Sequence, residues 1–142
     1  MKNKLSENNV LKVLKADGVK VVDIQKYQNS TMINFESLVK ELGANKSWAA
    51  RLAYNKNFGG VMIQQLPGEG NRIHKHPKND ECWVILKGQW KWIIEGKDEM
   101  EVSVGSVINV PANTFHQIKC IGSEPGIRYA ITAPDVDHVY KE

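Results

Sequence analysis

From position 48 onward the chain alternates between short apolar runs and polar breaks. The runs are rich in β-branched and aromatic residues, and the breaks are built from Gly, Pro, Asn and Asp. Runs of this kind at intervals of roughly 8–12 residues are the pattern of an all-β sandwich or barrel. Strands are predicted at 48–54, 60–66 and 71–76, then from Cys82, beyond Gly88, at 100–104 and 106–110, from His116, and at 127–132. The first third reads differently. Residues 6–17 carry an apolar stripe at Val10, Leu11, Val13 and Leu14, with Ser6 as cap and Gly18 as stop, which predicts a short helix. Residues 19–24 form a strand. Residues 34–42 form a second helix, with Asn34 as cap, Phe35, Leu38, Val39 and Leu42 on one face, and Gly43 at its end. The stretch 133–142 is polar and predicted to be peripheral, with His138 an ordinary tail residue.

At 142 residues the chain is long enough for one domain with a real core. A formal net charge of only +3 gives no basic footprint for nucleic acid. Its two cysteines, Cys82 and Cys120, both fall in predicted strands, which fits a reducing compartment and no disulfide framework. No apolar run reaches the length of a membrane span, and the first residues are not followed by the apolar core of a secretory signal. The expectation is a cytoplasmic protein with no membrane or nucleic-acid partner.

Chemistry concentrates in residues 68–88. His74 and His76 are two apart, so on a strand both imidazoles reach one side. Glu81 follows a turn-forming Pro77-Lys78-Asn79-Asp80 stretch, and a hairpin would set it opposite the two histidines. His116 opens another alternating segment and completes a set of three imidazoles and one carboxylate, which suits a first-row divalent metal.

These two stretches resemble the paired motifs of the cupin superfamily. The first reads G-x5-H-x-H-x4-E-x6-G from Gly68 through His74, His76 and Glu81 to Gly88. The second resembles G-x5-P-x-G-x2-H-x3-N, with Gly105, Pro111 and His116 in place. Asn113 stands where Gly is usual, and Cys120 where Asn is usual. Asn is the next best residue for a positive φ, so the turn is expected to survive. The resemblance implies a double-stranded β-helix, the jelly-roll or cupin barrel, with one or two short N-terminal helices. A single domain over 1–142 would then hold a metal-binding core at about 60–132 and an N-terminal extension at 1–47. The resemblance says little about the reaction, because cupins include dioxygenases, isomerases, epimerases, decarboxylases and non-catalytic binders.

Alternation also proposes a cavity lining. Arg72 shares parity with His74 and His76, making it a candidate clamp for a carboxylate or phosphate. The alternative is an arginine at the barrel mouth paired with Glu69 or another acid. Gln65 lies on the face of Val61 and Ile63, and Trp83 on that of Glu81, so both are candidate substrate contacts. Trp90 and Trp92 share one face and belong either to the core or to a dimer interface. The expected cofactor is one divalent ion: Fe, Mn, Ni or Zn. The expected function is a metal-dependent enzyme acting on a small polar substrate. With no assured general base beyond the ligands, dioxygenase-like chemistry is favoured over a two-base epimerase, and isomerase or decarboxylase activity stays open. The alternative is a non-catalytic cupin that binds a sugar or small acid. A homodimer is expected, paired through sheet faces or the strand at 19–24.

Overall fold

The computed structural model describes residues 7–141. Helix α1 (Val10–Ala16) starts where Asn9 accepts a hydrogen bond from the Lys12 amide, and it buries Val13 and Leu14. It is thus shorter than the predicted 6–17, and Ser6 lies outside the described residues. Helix α2 (Phe35–Leu42) follows the prediction closely. The Asn34 side chain accepts from the Glu36 and Ser37 amides, and Gly43 leaves the helix at φ 117°.

The strands form two sheets. The six-stranded sheet runs β1 (Val21–Asp23), β2 (Trp48–Tyr54), β3 (Gly59–Gln65), β10 (Gly126–Thr132), β5 (Glu81–Lys87), β8 (Val107–Val110). The five-stranded sheet runs β11 (Val139–Tyr140), β4 (His74–Lys75), β9 (His116–Ile121), β6 (Gln89–Ile94), β7 (Met100–Val102). All neighbours are antiparallel except β1 and β2, which run parallel. The expected double-stranded β-helix is the observed architecture.

Period-two alternation explains the packing. Trp83 and Ile85 of β5, Ile63 of β3, and Ile108 and Val110 of β8 face Trp90, Trp92, Ile118 and Cys120 of the smaller sheet in one core. Trp48, Ala50, Met62 and Ile127 point the other way and are covered by Leu38 and its neighbours on α2. The larger sheet is therefore buried on both faces where α2 lies, which is why β2 and β3 read as apolar at nearly every position.

One alternative is decided and two expectations are corrected. Trp90 and Trp92 are 0% exposed and belong to the core, so they offer no dimer surface. Residues 71–73 are not strand, and β4 and β5 sit in different sheets, so 77–80 is a crossing between sheets rather than a hairpin turn. The tail is not peripheral: β11 pairs with β4, and Val136, His138 and Tyr140 are buried.

Candidate metal centre

The four expected ligands come together. His74 on β4 is in register with His116 on β9. Glu81 enters from the opposite sheet at the start of β5, paired with Val110. The ligand atoms of His74, His76, Glu81 and His116 lie within 4.8 Å of one another, and all four residues are buried. Trp92 stacks on the His116 ring at 6.2 Å, fixing its plane from the core side.

The hydrogen bonds assign the tautomers. Nδ1 of His74 donates to the Arg72 carbonyl (2.8 Å), Nδ1 of His76 to the Asp137 carbonyl (2.9 Å), and Nδ1 of His116 to the Thr114 carbonyl (2.9 Å). A carbonyl only accepts, so each Nδ1 holds a proton, and in the neutral form each ring turns an Nε2 lone pair inward. Nε2 of His76 and of His116 both stand 3.1 Å from Glu81 Oε1. Lone pairs facing a carboxylate repel unless a positive charge sits between them. Ligands about 2.1 Å from a common ion stand about 3 Å apart when adjacent. The donor set and its spacing fit a divalent metal, and the backbone carbonyls behind the rings are the supports that metal-binding histidines use.

With no ion between His76 and Glu81, a proton on Nε2 of His76 can take the place of the metal charge, so metal and proton compete for the site. Burial and the neighbouring histidines hold the His74 imidazole well below its usual range. Burial opposes a charge on both His76 and Glu81. Their mutual hydrogen bond and attraction outweigh it, raising His76, and His116 helps to push the Glu81 carboxyl well below the usual carboxylate range.

A cavity of about 70 Å³ opens beside the ligands, lined by His74, Glu81, Trp83, Arg128, Asp17 and His138 together with aliphatic side chains of α1 and β3. Of the predicted substrate contacts, Trp83 lies on this wall. Gln65 is buried, but its partner Arg128 is what lines the cavity: Gln65 Oε1 accepts from Arg128 Nε (3.2 Å) and Nη2 (2.8 Å). Arg72 does not take the clamp position. Lacking strand geometry at 71–73, it turns to the mouth, where its side chain is 46% exposed. There Nε donates to Asp17 Oδ1 (2.6 Å), Nη2 donates to the Tyr140 hydroxyl (2.9 Å), and the guanidinium covers the Tyr140 ring. This is the mouth arginine of the alternative reading, with Asp17 as its acid.

Three cavity residues were missed. Arg128 is a lone cation inside the strand Gly126–Thr132, a legible signal, since a charge in a buried β run needs a reason. Asp17 was read as the end of a helix. His138 stands with its ring 4.6 Å from that of His76 and 4.8 Å from that of His74. Its Nδ1 donates to the carbonyls of Val136 (3.0 Å) and Glu7 (3.2 Å), leaving Nε2 as its acceptor nitrogen.

Comparison with known proteins agrees with this fold. The cupin domain family matches residues 61–132, about half of the chain, and the chain belongs to that family. No curated protein matches it by sequence. Among solved structures, a Klebsiella pneumoniae protein with a double-stranded β-helix domain superposes with a TM-score of 0.67 at 16% identity, over 80% of this chain and 99% of that one. KdgF from Halomonas gives 0.56 at 17% identity, over 61% and 78%. The DMSP lyase DddQ from Ruegeria pomeroyi gives 0.54 at 17% identity, over 61% and 46%. At these identities the likeness is one of fold. No described helix is long and apolar enough to cross a membrane.

Proposed function

We propose that this cupin is a divalent-metal-dependent enzyme that moves protons on a small substrate, as an isomerase, lyase or decarboxylase would. The ion would be Fe, Mn, Ni or Zn, held by His74, His76, Glu81 and His116. Such an ion polarises a substrate oxygen and eases loss of a proton or of carbon dioxide. The observation that carries the reading is the company the ligands keep. Asp17 and His138 line the same cavity as His74 and Glu81.

Dioxygen chemistry is favoured only where the cavity lacks acid–base groups beyond the ligands, and Asp17 and His138 supply two. His138 presents an acceptor nitrogen whose partner nitrogen is tied to backbone carbonyls. Burial raises the Asp17 carboxyl above its ordinary value, while Arg72 works in the other direction. A raised carboxyl and a neutral imidazole lining one cavity are two groups able to take a proton at one atom and return it at another. Aliphatic side chains of Val13, Leu14, Val61 and Ile63 keep water from the rest of the wall.

The test has three readings on the purified protein. Metal content is measured first. Solvent-deuterium incorporation and oxygen uptake are then followed with a panel of hydroxy acids, sugar acids, diketones and thiols. Deuterium exchange lost on Asp17→Asn and His138→Gln supports the proposal. Oxygen consumption without exchange returns the dioxygenase reading. A tightly held metal with neither activity leaves a non-catalytic binder of a sugar or small acid.

A further inference from the structure

Arg128 is 2% exposed, yet among the described residues no carboxylate pairs with it directly. One edge of its guanidinium, Nε and Nη2, is occupied by the neutral oxygen of Gln65, which is itself anchored by donating to the Gly70 carbonyl at 3.0 Å. Two indole faces take part of the charge, with the guanidinium carbon 4.4 Å from the Trp83 ring centre and 5.3 Å from that of Trp90. Those faces accept no hydrogen bond in the guanidinium plane. Among the described residues, no acceptor lies within hydrogen-bond reach of Nη1. The same is true of the Trp83 indole N–H. Both residues line the cavity that His74 and Glu81 line.

A buried donor without an acceptor costs about 1–3 kcal/mol, and more when it is charged. Two such donors, on two residues that line one small cavity, therefore call for an acceptor that enters the cavity and draws them to it. The free end of the guanidinium offers the two parallel N–H bonds that match the two oxygens of a carboxylate. The charge balance points the same way. Asp17 is already paired with Arg72, and Glu81 faces two imidazoles. Burial lowers the Arg128 side chain to about 10, so it remains a cation at neutral pH.

We propose that Arg128 and Trp83 form a carboxylate subsite beside the metal centre, and that the substrate is a small carboxylic acid. The two donors grip the carboxylate, and the reacting carbon extends toward the ligand histidines. This substrate class rests on the metal-enzyme reading only for the second end of the molecule; the grip on the carboxylate does not need the ion. A volume of about 70 Å³ corresponds to on the order of five heavy atoms, the size of a two- or three-carbon hydroxy acid. Aliphatic side chains of Val61, Ile63 and Ala130 on the wall suit a short hydrocarbon body rather than a sugar ring.

Glycolate, acetate, inorganic phosphate and the neutral glycolamide are titrated into the protein as purified and into chelator-treated protein. Binding is followed by calorimetry and by tryptophan fluorescence, since Trp83 and Trp90 flank the guanidinium. The expected result is saturable glycolate binding, with glycolamide weaker by about ten- to a hundredfold. Arg128→Gln and Trp83→Phe should weaken glycolate without changing metal content, and Arg128→Lys should recover part of the loss. The glycolate–glycolamide comparison on the wild type decides the matter even if Arg128→Gln folds poorly. Equal binding of the acid and the amide, no carboxylate binding at all, or binding of phosphate alone overturns the subsite. Glycolate that still binds through Arg128 to a protein that takes up no metal supports the subsite and sinks the metal-enzyme reading. A metal-loaded protein indifferent to carboxylates does the reverse.

Discussion

The backbone N–H of Asn113 donates to the carbonyl of His76 over 2.7 Å. The turn of the second motif thus holds the ligand segment of the first. Asn113 makes this contact at φ 62°, the left-handed region where the family usually places Gly. Asn113→Ala should cost about 1 kcal/mol in chemical denaturation, because a plain Cβ resists that conformation, whereas Asn113→Gly should stay close to wild type. Both keep the donor, so metal affinity should follow stability in neither variant.

His74→Ala, His76→Ala and His116→Ala should each sharply lower metal content while the protein remains folded. The rings sit at one end of a core supplied mainly by Trp83, Ile85, Trp90, Trp92 and Ile118. Elemental analysis beside circular dichroism checks this. Full occupancy after any two of the three were removed would place the metal elsewhere.

Acid should weaken the metal-free protein before any ordinary carboxylate titrates. Burial, with His76 beside it, lowers the His138 imidazole to about 4, against 6.5 in an unfolded chain. As pH falls below 6.5 the unfolded chain takes up a proton that the native state refuses. The neutral-ring contribution is therefore complete above pH 6.5 and shrinks toward pH 4, by about 3 kcal/mol in all. Burial moves His74 in the same direction, while His76, though buried too, is raised by the Glu81 carboxylate, which offsets part of the loss. Urea midpoints of chelator-treated protein at pH 7.5 and pH 5 should show this loss, with a smaller slope in His138→Gln.

Gly70 is a place where only hydrogen fits. A Cβ built there would run into the Ile118 carbonyl oxygen and come within 2.9 Å of the Lys119 Cα, both backbone of β9. Gly70→Ala should cost about 1–3 kcal/mol, the range for forced overpacking. Gly96→Ala meets no atom within 4 Å and carries only the strain of φ 81°, so thermal unfolding should rank it the milder change.

What could be read from the sequence was whatever depended on local spacing. The ligands His74, His76 and Glu81, the Asn34-to-Gly43 helix and the Asn113 turn each depend on residues a few positions apart, and His116, 35 positions from Glu81, was legible from the spacing of its own motif. Arg72 failed because parity holds only within a strand, and the chain at 71–73 departs from strand geometry near Gly70, which must pass close to β9. His138 was invisible for the opposite reason. Its alternation with Val136 and Tyr140 is only five residues long, and its place comes from pairing between β11 and β4, far apart in the chain. Arg128 and Asp17 reach the cavity from opposite ends of the sequence, and no local pattern joins them.

Glu7 and His138, 131 positions apart, exchange two backbone hydrogen bonds of 3.1 and 2.8 Å. That short ribbon lies over the imidazoles of the ligand set. Its breathing is a smaller event than global unfolding, since it breaks one bridge and leaves the sandwich core packed. Chelator access to the site should therefore keep pace with amide hydrogen exchange at Glu7 and His138, and run well ahead of exchange in β5 and β9. A fold whose core is rigid would then set its metal residence time by the looseness of a clasp.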